Sequence, residues 1–491
     1  MNLILSETEL KRLPRPIRKN PKATPKIMHF GPGAFFRAFV ASLIDEVNQR
    51  DVEKWGIVAV SLNSEVTFEK LAGQDFVFNA LSMSSTKKRV RKISSISDFI
   101  VAKKDGQSVL DALSDEQIEI VSLTITEKGY HYNFDKKELD LGNQNIIDDL
   151  GNPENPKTAV GFLIAGLRNR YLNGKAPFTI LSCDNLPNNG AIVKKTVLDF
   201  AQKIDPYLAN WISKEVYFTS SMVDRITPAT HDQDIMNFAE EYGIHDPALV
   251  VHEEFFQWVI EDKFFSERPK FELAGIQMVP NVELHEKMKL RCLNGTHSAL
   301  AYLGYLAGCN TIAECVSDDS MINYIQYLWE KEIIPTLETP EGENLKDYCS
   351  KLLERYQNPA IEHKTWQIAM DGSQKLPQRI LETVSDLLKH HKNFQGLALA
   401  IAAWIKYVTG IDLDGETIDV RDPLANDFAM IAKKSKTSED YIDVILDQSK
   451  GFPANLRDSS AFRTEIKKSY KLLEQYGSLG SIKKLMSALK K

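Results

Sequence analysis

Four residues of different chemistry, Glu286, Lys289, Asn294 and His297, stand within one short stretch of the chain. The stretch turns apolar immediately afterwards, in Ala299-Leu300-Ala301-Tyr302-Leu303-Gly304-Tyr305-Leu306. An α-helix advances about 100° per residue. With Lys289 as origin, Glu286 then falls near +60°, His297 near +80° and Asn294 near +140°, all about one side of a rod. An amine and an imidazole there can move a proton, and a carboxamide can bond a developing oxyanion. Burying such groups is costly unless they are paired, so a solvated stripe is the alternative reading.

The elements that must position these groups fall into two kinds. Up to about residue 280 the pattern alternates short apolar runs with helical periods, as parallel βα units do. Lys26-Ile27-Met28-His29-Phe30 reads as a buried strand behind a polar, proline-punctuated lead-in. It runs into Gly31-Pro32-Gly33-Ala34-Phe35-Phe36-Arg37-Ala38 and a helix to about Val47. Strand, glycine turn and helix open a dinucleotide-binding unit, Gly31 making the turn and Gly33 admitting a pyrophosphate to the helix N-terminus. Phe36 occupies the third glycine position of that fingerprint. A second strand, Gly56 to Leu62, ends at Asn63, where an acid usually reads the ribose; Asn63 suits NAD over NADP.

Further strands are expected at Ile118–Ile125 and Phe178–Ser182, delivering the loops Thr126-Glu127-Lys128-Gly129 and Cys183-Asp184-Asn185. A strand-like Val216-Tyr217-Phe218 precedes a third loop, Met222 to Pro228, with Asp224 in it. Ligands bind outside the carboxyl ends of such strands, although a helix-capping Asn or Asp is an equal use of these residues. After residue 280 helical periods dominate, near 284–308, 319–335, 344–356, 366–391, 396–408, 423–433, 439–448, 458–475 and 479–489. The expected fold is α/β: a Rossmann-type NAD-binding domain over 1–280 and a mostly α-helical substrate and catalytic domain over 281–491.

The 491 residues are 43% apolar and 26% charged, with net charge −7, which argues against a nucleic-acid partner. The basic runs, Lys87-Lys88-Arg89 and the tail from Lys483, read as solvated faces. Five cysteines lack zinc-ligand spacing and fit reduced thiols of a cytoplasmic protein. No run is long enough for a membrane span, and the acid-bearing start does not resemble a signal peptide. The expected partners are small molecules alone, with the oligomeric state open, a monomer included.

The glycine turn, Ser122 to Gly129, Ser182-Cys183-Asp184-Asn185, Val223-Asp224-Arg225-Ile226, Phe256-Gln257-Trp258-Val259 and the K-x4-N-x2-H element from Lys289 to His297 together resemble the polyol-specific long-chain dehydrogenase/reductase family. The similarity runs from about residue 25 to 475. It implies metal-independent hydride transfer with NAD, Lys289 as the acid/base, and Asn294 with Asn185 as an oxyanion-hole pair. His297 would hold a neighbouring hydroxyl, Asp224 further hydroxyls, and Glu286 would tune the lysine. Gly31, Gly33, Phe35, Arg37, Asn63 and Glu127 would contact the cofactor. The stretch His363 to Arg379 resembles the fructuronate reductase branch, which implies a carboxylate held by Arg379, with Lys375 assisting and His363 and Lys364 as further cations. Phe39 departs from the usual R-A-H and is shared with tagaturonate reductases. Mannitol 2-dehydrogenase activity and a non-catalytic NAD sensor are the competing readings, the intact Lys289, Asn294 and His297 set arguing against the sensor.

Overall fold

A computed structural model describes residues 7–84, 86–134, 136–360, 362–448 and 452–489. The chain divides into two compact units, Met1–Glu283 and Leu284–Lys491.

The first unit is built on a six-stranded parallel sheet. Its strands are β1 (Pro25–Phe30), β2 (Gly56–Ser61), β3 (Ile96–Val101), β4 (Ile120–Leu123), β5 (Thr179–Ser182) and β6 (Phe218–Thr219). They lie in the order β3-β2-β1-β4-β5-β6. This is the doubly wound dinucleotide-binding order, which reverses between β1 and β4 and leaves a crevice there. Alternation along each strand feeds two separate cores. Ile27, Ile57, Ala59 and Ile120 pack with Phe36, Val40 and Leu43 on one face. Met28, Val58, Val60 and Val121 pack with Val109, Leu163 and Val193 on the other. Strands buried on both faces read as continuous apolar runs, which is why the sequence reveals them.

Two corrections apply to this unit. Met222 to Asp224 is not loop: Ser221–Asp224 forms β7, paired antiparallel with β8 (Gln257–Glu261), so Asp224 is the last residue of a strand. Val216 and Tyr217 precede β6 instead of belonging to it. The basic run Lys87-Lys88-Arg89 is exposed, as expected; Lys88 and Arg89 open a strand, Lys88–Ile93, which pairs antiparallel with Phe78–Met83, itself parallel to Val250–Glu253. Its lysines and arginines charge a sheet edge, a common guard against edge-to-edge pairing.

The second unit is helical. Gln395–Tyr407 is apolar all round and buried, as an interior helix must be, and it packs against Thr296–Tyr305 and Ser460–Leu489. Its first turn is capped by the buried Glu332 carboxylate, which accepts from the Gly396 and Leu397 amides at 2.7 Å each. Burial raises that carboxyl to about 7. The predicted 366–391 helix breaks at Met370 and at Asp371, whose φ is +55°. The two last predicted helices run as Ser460–Leu489 with a kink at Gly477.

The predicted 284–308 helix is also corrected. Glu283–Met288 and Thr296–Tyr305 are α-helical, but Lys289–Gly295 between them is a π-helix. The wider i→i+5 turn replaces the 100° count, so Lys289 and Asn294, five residues apart, lie about one turn from each other. A π turn leaves carbonyls without their usual partners, and neighbouring side chains meet them here. Trp329 Nε1 and Thr296 Oγ1 donate to Cys292 O, at 2.9 and 2.6 Å, and Tyr356 OH donates to Leu293 O at 3.0 Å.

Candidate active site

In the first unit the loops after β1, β4 and β5 meet at the reversal of strand order. Gly31 takes φ +92°, and a Cβ there would lie 2.0 Å from Thr124 O, so only glycine permits the turn to press on β4. Gly33 is different: a Cβ there would meet no protein atom within 4 Å. Open space over Gly33, at the start of the helical run 34–50, is the cradle a pyrophosphate needs, because a helix N-terminus presents unpaired amides. The residues fit a dinucleotide. Phe36, in place of the third glycine, is buried and stacks on His29 at 3.8 Å and 17°. The His29 ring is itself held by Ser122 Oγ and Thr124 Oγ1, both at 2.8 Å, and burial pushes it down to about 3.

Asp184 ties two of these loops together. Its carboxylate accepts from the Ile125 and Thr126 amides at 2.9 Å and from Tyr130 OH at 2.7 Å. Burial raises its pKa against those three bonds. Asn185 follows it and is exposed, as is Glu127 on the short helix Thr126–Gly129. Asn63 is exposed just beyond β2. Arg37 is turned into its own unit, donating to Ala248 O beside the Phe78 ring. Phe35 stacks on Phe39 at 5.0 Å, and Phe39 meets Trp258 at a tilt of 48° with ring centroids 5.2 Å apart. Asp224 is buried at the end of β7.

In the second unit Glu286, Lys289, Asn294 and His297 are all buried. Asn294 Oδ1 and His297 Nε2 have no hydrogen-bond partner among the described residues. Buried polar atoms are almost always paired in folded proteins, so two orphans on one element mark a place where a polar ligand fits. His297 lies against Tyr356, ring centroids 5.1 Å apart at 29°. Burial, reinforced by His363, Arg379, Arg355 and Lys375, holds its pKa well below the ordinary value.

Arg379 reaches this element. A second π turn, Pro377–Leu381, packs on the first, and Arg379 Nη1 donates to Ser298 Oγ at 3.2 Å. Gly295 permits the approach, since a Cβ on it would stand 2.6 Å from Arg379 O. Lys375 donates to Met370 O at 2.6 Å and lies 3.9 Å from Asp371. His363 is not the further cation expected: burial and Arg355 bring it down to about 4, a neutral ring at ordinary pH. Sequence reasoning did not single out Tyr356 as a site residue, although its ring supports His297 and its hydroxyl holds the π turn.

Family models for the mannitol dehydrogenase Rossmann domain and the mannitol dehydrogenase C-terminal domain match residues 25–273 and 281–474. The chain belongs to the mannitol dehydrogenase family. It is thus an oxidoreductase, with a Rossmann-like half and a helical C-terminal half. An uncharacterized oxidoreductase of Escherichia coli K12, YeiQ, is 40% identical over 97% of this chain and 98% of its own. The D-mannonate oxidoreductase of the same organism is 39% identical over 94% of this chain and 96% of its own. Among solved structures, a ternary complex of Pseudomonas fluorescens mannitol 2-dehydrogenase with NAD and D-mannitol superposes with TM-score 0.85 at 34% identity, over 98% of this chain and 99% of that one. Among the described residues no helix is long and apolar enough to cross a membrane, and no three His, Cys, Asp or Glu side chains gather as metal ligands.

Proposed function

We propose that this protein is an NAD-dependent reductase of D-fructuronate, forming D-mannonate by reversible hydride transfer. The observation that carries the reading is the setting of His297. Arg379, docked one residue further along at Ser298, joins Arg355 and Lys375 in a positive field around a neutral buried imidazole. A keto sugar needs no such field, whereas a keto sugar acid brings one carboxylate for a guanidinium to hold bidentately. The similarity to a D-mannonate oxidoreductase supports the same substrate.

NADH supplies the hydride when it is bound along the Gly31–Gly33 turn. Lys289 gives a proton to the oxygen that becomes the alcohol, and removes it in the reverse direction. The carboxamides of Asn294 and Asn185 donate to that oxygen as negative charge develops on it. His297 takes a neighbouring hydroxyl through Nε2, and Asp224 accepts from further hydroxyls. Glu286 lies one turn before Lys289 and tunes it. Oxidation of NADH followed with fructuronate, tagaturonate and fructose side by side tests the assignment. Fructuronate is expected to give the highest kcat/KM, with NADH ahead of NADPH. A preference for fructose would make the protein a mannitol 2-dehydrogenase, and a preference for tagaturonate would move it to that branch.

A further inference from the structure

His363 has a role that the reaction above leaves unassigned. Its main chain is fixed: His363 O accepts from the Ile312 amide at 3.0 Å, and the next residue, Lys364, forms an antiparallel bridge with Thr311. Its ring meets His297 edge-on, centroids 4.5 Å apart at 78°. The other aromatic neighbour of His297 is Tyr356, whose hydroxyl is already engaged with Leu293 O and Thr296 Oγ1. Two nitrogens therefore remain in this aromatic cluster: His297 Nε2 and His363 Nδ1 are both buried and both without a partner among the described residues. One orphan nitrogen is explained by the substrate hydroxyl given to His297. The second calls for an oxygen of its own, because a buried polar atom left unpaired is destabilising.

We propose that His363 is a substrate-binding residue, its Nδ1 and His297 Nε2 together holding two neighbouring oxygens of one polyhydroxy substrate. This rests on the reading that His297 faces the substrate, and not on which keto sugar is reduced. Two neutral imidazoles suit the task. Each can donate through one nitrogen and accept through the other, so hydroxyls of either hydrogen-bonding sense are accommodated. Burial, with Arg355 adding to it at both rings, lowers their proton affinity, which keeps the pair neutral while the surrounding cations attract an acidic substrate.

Two variants of the full-length protein separate the possibilities. His363→Phe keeps an aromatic ring against His297 and removes both nitrogens; His363→Asn restores a hydrogen-bonding group near Nδ1. His363→Phe is expected to retain its melting temperature and its affinity for NADH, while KM rises about 10- to 100-fold with kcat within a few-fold. His363→Asn should recover most of that loss. Wild-type KM in His363→Phe would overturn the proposal. Equal losses of kcat in both variants at unchanged KM would also overturn it, because His363 would then only position His297. Should His363→Phe not fold, the same KM ratio between His363→Asn and His363→Leu decides. If the wild type reduces fructose and not fructuronate, the substrate assignment falls, while the KM comparison on fructose still decides the role of His363.

Discussion

Gly295 and Arg379 touch through their backbones. A single methyl on Gly295 would reach 2.6 Å from Arg379 O, inside any permitted contact. The two π turns are thus packed as closely as two main chains allow, and the guanidinium of one is delivered beside the imidazole that comes just after the other. Gly295→Ala should therefore displace Arg379 and cost about 1–3 kcal/mol of stability, the usual range for an overpacked core. Urea denaturation measures the cost. An unchanged midpoint together with unchanged kcat/KM would refute the packing argument.

Gly31 and Gly33 should respond oppositely to the same substitution. Gly31→Ala meets Thr124 O and a φ of +92°, so it should lower the melting temperature. Gly33→Ala meets no protein atom within 4 Å, so the fold should be unaffected while NADH binding weakens. Fluorescence titration with NADH and thermal melts on both variants check this. Wild-type NADH affinity in Gly33→Ala would mean that the cofactor does not approach this turn.

Lys289→Ala should keep the fold and NADH binding and lose about 10²–10⁴-fold in kcat, the usual worth of general acid–base catalysis. A variant with wild-type kcat across the pH range would remove Lys289 from the mechanism.

Arg379→Ala separates substrates. Removing one partner of a desolvated charge pair costs about 2–5 kcal/mol, or roughly 30- to several-thousand-fold in kcat/KM. Fructuronate reduction should fall by such a factor, and any fructose reduction should change little. Lys375→Ala is the companion variant, expected to do less because Lys375 already donates to Met370 O. If neither variant separates the two substrates, the carboxylate is held elsewhere.

Acid should destabilise the fold through buried imidazoles. His29 and His252 titrate at about 3 and His363 at about 4, against 6.5 when free. The unfolded chain thus binds protons that the folded chain refuses. The share of stability these rings contribute is constant above about pH 6.5 and falls as pH drops from there toward 4, by about 1.4 kcal/mol per pH unit for each ring, with Glu332, raised to about 7, offsetting one ring over the same range. Urea midpoints across that range test the sign, and the slope should lose one proton in His29→Gln. A midpoint that rises on acidification would contradict it.

The central sheet was legible because each of its strands is an apolar run buried on both faces, as in Gly56–Ser61. Lys88–Ile93 was not, since its lysines and arginines sit on an edge and its sheet is completed by Val250–Glu253, far along the chain. The grouping of Lys289, Asn294 and His297 on one helical run was legible from their spacing, but its geometry was not. The π turn depends on Trp329, Thr296 and Tyr356 meeting its carbonyls, and two of those three are distant in sequence. The charge of His363 was misread for a related reason: an imidazole's state is set by its burial and neighbours, which composition does not disclose.

The π turn also carries an arithmetic consequence. A turn closed by i→i+5 bonds holds one residue more than an α-helical turn, so the stretch 289–295 contains, in effect, a surplus residue. The surplus sets the phase between Glu283–Met288 on one side and Thr296–Tyr305 on the other. Rewinding the stretch to regular α-helix at its present length would leave every residue helical. It would also swing Lys289 about 100° around the axis relative to His297 and the apolar face of Thr296–Tyr305. Helical content would survive such a change while the amine and the imidazole moved apart around the axis. Loss of the π turn at constant length is therefore a strong perturbation of the chemistry, and circular dichroism would not detect it.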